Sequence, residues 1–246
     1  MSIITFIFNF SLLWQATRRT GIDTLAAVVI VIVLVVIFTI FSIALVFAFF
    51  SYKRRQKRIA ALKQFAAENG WKIVPEPTLN SFQHLDRYSL FRGGHWKSIA
   101  VLLQKRTDDG QISVFDCIFS IGASRSARNH TTTVIAFHSP RLQLPYFRLY
   151  PESLLSSLGE LLGWNYIDFA SHPEFSSRYK LSGEDEMHVR QMFHPQVLTS
   201  FESMPDLSVD GGGNYIFAYT LRKVTEVESL NTYIKHARII FGLFHQ

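Results

Sequence analysis

The chain is short of several things that usually reveal a function. It has one cysteine, Cys117, in 246 residues, so no intramolecular disulfide can staple it. Thirteen glycines and eight prolines are too few for a collagen-like or low-complexity chain. There is no G-x-S-x-G, no H-E-x-x-H, no C-x-x-C and no Gly-Lys-Ser/Thr. These are the specific signatures of α/β-hydrolases, zinc peptidases, thiol redox or zinc sites, and phosphate loops. Charge is also missing, and over one stretch completely: Leu25–Phe50 holds no Asp, Glu, Lys or Arg.

What is present begins with that stretch. It runs 26 residues with only Thr39 and Ser42 polar and no glycine or proline. About 20 apolar residues suffice for a helix to cross ~30 Å of hydrocarbon. Val28–Val36 is rich in β-branched residues, which favour strand in water. In lipid a lone segment satisfies its own backbone only as a helix. The sequence therefore predicts one transmembrane helix.

The formal net charge of +6 suggests nucleic acid until it is located. Residues 1–58 carry Arg18, Arg19, Lys53, Arg54, Arg55, Lys57 and Arg58 against Asp23 alone, which is the whole excess. Residues 59–246 balance 18 basic residues with 18 acids, leaving no basic field for a phosphate backbone. Nucleic acid is not expected as a partner. The basic cluster instead sets topology, since Lys and Arg flanking a span favour the cytoplasm. An uncleaved signal anchor is expected, with the N-terminus outside and the C-terminal part cytoplasmic. Lys53, Arg54, Arg55, Lys57 and Arg58 read either as this topological signal or as ligands for anionic lipid headgroups. Residues 3–14 are apolar but too short to span. An interfacial helix held by Phe6, Phe8, Phe10 and Trp14 suits them.

After the span, Ile59, Leu62, Phe65 and Ala66 share a helical stripe through Glu68, and Asn69-Gly70 is a stop signal. The expected division is 1–24 outside, 25–50 in the membrane, 51–69 a basic juxtamembrane helix, and 70–246 one cytoplasmic domain. Within that domain Ile99–Arg106 and Gln111–Gly122 flank Asp109-Gly110, a hairpin signal. Trp71–Val74, Thr131–His138, Tyr146–Tyr150 and Ser176–Leu181 read as strands. Leu207–Asp210 and Tyr215–Arg222 read as a hairpin turning at Gly211–Gly213. Helices are expected from Pro151, from Glu184 through Phe193, over Pro195–Met204, and over Glu226–Phe244. Strand runs followed by helices, without regular βαβ alternation, predict an α+β fold with an antiparallel sheet.

Chemistry is sparse. Cys117 alternates with Phe115, Phe119 and Ile121 on one strand face, the pattern of a buried core thiol. Asp116 is a lone charge in that apolar strand, and either pairs with an arginine, meets solvent, or serves as a catalytic acid. Glu184-Asp185-Glu186 reads as solvated acids at a helix start or as paired carboxylates. His188 and His194 are six apart, which is wrong for a helical ligand pair. His130 and His138 stand at opposite ends of one strand. No metal and no cofactor are implied. The 122–130 loop, with Arg125, Arg128 and His130, is the best place for a ligand or partner contact, its alternative being a solvated hairpin tip.

Several stretches resemble a family of uncharacterised bacterial proteins with an N-terminal membrane anchor and one soluble domain. They are FAAENGW (65–71), VFDCIF (114–119), TVIAF (133–137), LPYFRLYPESLL (144–155), IDFASHPEFSSRYKLSGEDEMHVRQMF (167–193) and the glycines at 211–213. The resemblance implies a bacterial origin, one contiguous domain and no established activity; joined to the apolar span, a bacterial inner-membrane location is expected. An aromatic is usual in that family where Cys117 stands, which argues against thiol chemistry. The leading expectation is a non-enzymatic, membrane-anchored cytoplasmic domain that binds a protein partner. The alternatives are a membrane-surface enzyme near the 122–130 loop and a sensor of anionic headgroups.

Overall fold

The computed structural model describes residues 24–77, 82, 85–92, 95–121, 128–154, 165–204 and 207–245. The interfacial segment expected at 3–14 lies outside them. The chain divides into two compact units, Met1–Lys57 and Arg58–Gln246.

One helix, α1 (Thr24–Asn69), contributes to both units. In the first unit no side chain over 26–57 is buried. Its two polar groups are satisfied within the helix: Thr39 Oγ1 donates to the Val36 carbonyl and Ser42 Oγ to the Phe38 carbonyl, both at 2.8 Å. No backbone or hydroxyl partner from outside is then required, as a hydrocarbon setting demands. The helix is long and apolar enough to cross a membrane.

The second unit is built on eight strands in the order β1-β2-β3-β4-β8-β7-β5-β6, each pairing antiparallel. They are β1 (Lys72–Val74), β2 (His95–Thr107), β3 (Gly110–Ile121), β4 (Arg128–His138), β5 (Leu144–Pro151), β6 (Tyr179–Gly183), β7 (Ser208–Gly213) and β8 (Tyr215–Tyr219). The helices are α2 (Ser89–Arg92), α3 (Pro173–Arg178), α4 (Glu186–Met192), α5 (Pro195–Glu202) and α6 (Leu230–Phe244). The fold is α+β, as the sequence pattern predicts.

Alternation along the strands feeds two cores. On one face Val101, Leu103, Ile112, Val114, Ile135 and Phe137 meet α6, α3–α5 and the end of α1 through Leu62, Phe65 and Ala66. On the other, Leu102, Phe115, Cys117, Val134 and Phe217 meet Phe82, Tyr88, Leu90 and Phe91. Both faces being covered explains why β2 and β3 read as nearly continuous apolar runs.

Three elements depart from the sequence reading. Pro151 does not open a helix but ends β5 opposite Tyr179; at a strand's last position its missing N–H costs little. A short 3-10 turn follows at Glu152–Leu154, and the rest of the expected helix lies outside the described residues. Ser176–Leu181 is not one strand. Pro173 at the first helical turn, with Glu174, starts α3, and β6 begins only at Tyr179. Gly211–Gly213 belong to β7 and not to its turn, which falls at Asn214. Gly213 takes a left-handed φ of +51° next to that turn, whereas the reason for Gly211 and Gly212 is close approach. A Cβ at Gly211 would meet the Phe147 ring at 2.1 Å, and one at Gly212 the Tyr146 ring at 2.3 Å. Neighbouring β5 lays one aromatic on each face of the sheet, and only glycine leaves room.

Candidate functional site

The best-defined polar site is made by Arg58 and Asp116. Asp116 shares its strand face with Ile112 and Val114, so β3 points a carboxylate into the helix-covered core, where it is 3% exposed. An unpaired carboxylate there would be strongly disfavoured. Arg58 lies four residues before Leu62 and seven before Phe65 on α1, hence on the same buried stripe. Its Nε and Nη2 grip both oxygens of Asp116, the second at 2.9 Å. This is the bidentate guanidinium–carboxylate geometry that gives strength and direction together.

Two threonines complete the cluster. Thr133 sits opposite Asp116 in the β3–β4 register. Its hydroxyl donates to Asp116 Oδ1 at 2.8 Å and accepts from Arg58 Nη2 at 3.1 Å and from the Thr225 backbone N–H at 3.0 Å. The Thr225 carbonyl accepts from Arg58 Nη1 at 2.9 Å. Helix α1, strands β3 and β4, and the loop before α6 are thus tied at one point. Both Asp116 oxygens are engaged, so the group acts as a fastening and not as an acid open to substrate. The sequence marked Asp116 as anomalous, but not Thr133 or Thr225, which carry no such signal.

The other residues singled out from sequence are scattered. Lys53, Arg54, Arg55 and Lys57 are exposed in the first unit, with Lys53 Nζ 5.1 Å from the Phe49 ring centre. Arg58 differs from them in being turned to Asp116, its side chain 19% exposed. Arg128 begins β4 opposite Ile121. Arg125 lies outside the described residues. His130 is half-buried on β4, its ring 5.9 Å from that of Phe119.

The three acids at 184–186 have separate tasks. Glu184 pairs with Arg87 at 2.9 Å, and Glu186 with Arg190 at 2.8 Å. Asp185 caps α4, accepting from the His188 N–H at 3.1 Å and facing its Nδ1 at 2.5 Å. Those hydrogen bonds hold the Asp185 carboxyl below its ordinary range. His194 precedes α5 as its N-cap residue without a side-chain cap. Burial lowers His138, whose ring lies 4.5 Å from that of Tyr215. Among the described residues no three His, Cys, Asp or Glu side chains are grouped to hold a metal ion. Cys117 is fully buried, and burial pushes its thiol well up, so thiolate is scarce at neutral pH.

A second buried acid was not visible from sequence. Asp210 on β7 faces the opposite core. It accepts from the Leu90 N–H at 2.5 Å and from the Tyr219 hydroxyl at 3.2 Å, while the Tyr88 hydroxyl donates to the Gly212 carbonyl at 2.6 Å. Burial raises both tyrosines well above the ordinary phenol range, helped by Tyr146 and Tyr215 at Tyr88 and by Asp210 at Tyr219. Arg148 stands directly across from Asp210 in the β5–β7 register, and its Nε donates to Ser182 at 2.9 Å.

These features define an α+β protein whose described residues comprise one membrane-length apolar helix and an eight-stranded antiparallel sheet. The fold has a solved neighbour, the crystal structure of the mycobacterial trehalose monomycolate transport factor A, TtfA. The match has a TM-score of 0.51 at 12% identity and covers 74% of this chain and 90% of that one. At this identity the likeness is one of fold. No family model matches the chain, and no curated protein matches it.

Proposed function

We propose that this protein is a membrane-anchored accessory domain that binds a protein partner at the bacterial inner membrane. Residues 25–50 would form the single span, residues 1–24 would lie outside, and the basic residues 53–58 would hold the C-terminal side in the cytoplasm. The observation that carries the reading is the shared fold with a protein described as a transport factor, joined to an apolar helix of membrane length in this chain. The use of Arg58 and Asp116 within the domain supports it as well, because the most conspicuous charge pair is spent on construction. Nothing favours the enzyme or headgroup-sensor readings in the same way.

Affinity capture of the full chain from detergent extracts tests the role. A stoichiometric protein partner is expected, and repeated recovery of the chain alone would overturn it. Topology is tested separately with Asp109→Cys in the exposed β2–β3 turn. A membrane-impermeant maleimide should label it only after lysis, and labelling of intact cells would reverse the orientation.

A further inference from the structure

Of the cavities in the second unit, one of about 430 Å³ lies between α6 and the Thr220–Glu226 loop. Its size falls within the range of small-molecule sites. Its floor is apolar: Met204 and Leu207 are buried, and Val224 closes one side. Its walls are polar, and α6 shows why. From the N-cap Ser229 onward come Thr232, Tyr233 and His236, spaced i, i+3, i+4, i+7, all lining the cavity, with the Tyr233 ring also packed on the core. Ser229, Thr232 and His236 thus bring two hydroxyl side chains and an imidazole to a half-open cavity, while the Tyr233 hydroxyl is buried beside Thr220. Thr220 and Thr225 answer them from the loop, and Lys223 brings an ammonium. Glu226 is the one acid in the lining, and it is exposed.

The loop wall is also fixed in advance. Thr225 is held through both backbone groups, its N–H by Thr133 and its carbonyl by Arg58. A wall ordered before binding loses little entropy when a ligand arrives. Two further cavities among the described residues lack this build. The depression of about 650 Å³ by α4 is lined by Glu184 and Asp185, already engaged with Arg87 and His188. That of about 290 Å³ between α1 and α6 is small and carries no basic side chain.

We propose that the cavity between α6 and the Thr220–Glu226 loop binds a small anionic amphiphile, a phosphate monoester or carboxylate on an apolar body. The floor takes the apolar body, the hydroxyls donate to the oxygens, and Lys223 supplies the countercharge. The site stands whether or not the domain also binds a protein partner. The anion could come from a lipid or from a soluble metabolite, and both present the same chemistry to the cavity.

The test uses the full chain in phosphatidylcholine nanodiscs with phenyl phosphate as probe, read by saturation-transfer NMR on the phenyl protons. Saturable binding is expected, absent from empty nanodiscs and about tenfold or more tighter than inorganic phosphate by competition. Thr232→Trp, which adds a bulky ring at an exposed lining position, and Lys223→Glu should each weaken it about tenfold or more. Lys235→Glu, exposed on α6 outside the lining, should leave it unchanged, while Glu226→Gln removes the one acid of the lining and should tighten it. No saturable binding up to about 10 mM, equal affinity for inorganic phosphate, or loss of binding in Glu226→Gln would each overturn the assignment. Phosphatidic acid in the nanodisc that displaces the probe keeps the site and identifies a lipid source. Failure of that lipid to displace a bound probe keeps the site and identifies a soluble one.

Discussion

Helix α1 is one secondary-structure element with two unlike parts. Over residues 26–57 no side chain is buried, and nearly every one up to Phe50 is apolar. From Arg58 onward the helix is amphipathic, with Leu62, Phe65 and Ala66 in the core and Lys63, Gln64, Ala67 and Glu68 exposed. Helix formation therefore says little about surroundings. The first part keeps its hydrogen bonds internal and offers the same oil on every side, which suits lipid. The second offers one stripe, which suits a sheet. The change falls at Arg58, where a guanidinium that would otherwise extend the exposed basic run meets the carboxylate of Asp116 instead.

The strongest way to break that contrast is to remove the residue at the change. Arg58→Ala leaves Asp116 buried without its cation and should destabilise the second unit by about 3–5 kcal/mol. Thermal or denaturant unfolding of the nanodisc-embedded chain would measure it. The double change Arg58→Met with Asp116→Leu should recover most of the loss, because an apolar pair of similar volume is often no worse than a buried ion pair. If Arg58→Ala behaved like Lys57→Ala, Arg58 would belong with the exposed run and not with the domain.

Next in size is a charge placed in the apolar part. On the proposed insertion, Val35→Asp adds about 2.5–3.5 kcal/mol to the insertion of the span. A glycosylation-mapping assay should register it as reduced integration, while unfolding of the second unit stays at the wild-type midpoint. A fall in that midpoint would mean that the two parts are not energetically separate. A smaller effect belongs to the helix stop. Gly70 has φ +68°, and a Cβ there would meet nothing within 4 Å. Gly70→Ala should thus cost only the left-handed backbone penalty of about 1–2 kcal/mol, read from the same unfolding curves.

These residues also show what could be read from sequence. The Asn69-Gly70 stop, the Asp109-Gly110 turn and buried Cys117 were legible because each rests on local chemistry or on the period of a strand. The apolar part of α1 was legible because nothing interrupts it. Gly211 and Gly212 were misread as turn residues because their cause, the Phe147 and Tyr146 rings, sits on another strand. Ser176–Leu181 was misread because α3 yields to β6 in mid-segment, and pairing with β5 decides where. Asp116 was recognisable as a charge out of place, yet its partner lies 58 residues away. Asp210 gave less warning, since beside three glycines an acid looks like turn chemistry. Local rules recover elements, while the fastenings between elements depend on register.

The smallest effect separates a buried acid from an exposed one. Asp116 is locked inside a core, whereas Asp185 is an exposed cap whose carboxyl is held below the ordinary range, chiefly by the His188 ring and then by the His188 N–H. A carboxyl depressed in the folded state stabilises fully above its unfolded value, about 3.9. That contribution disappears as pH falls through the folded value. Asp185→Asn keeps an oxygen for the cap and removes the charge, so the difference between the two proteins isolates the titration. Unfolding midpoints measured from pH 6 down to pH 2 should show wild type slightly ahead above about pH 4, with the two curves converging below it. A gap that stayed constant with pH would place the Asp185 contribution in hydrogen-bond geometry alone. A gap that widened at low pH would mean the carboxyl is raised on folding, contrary to its pairing with His188.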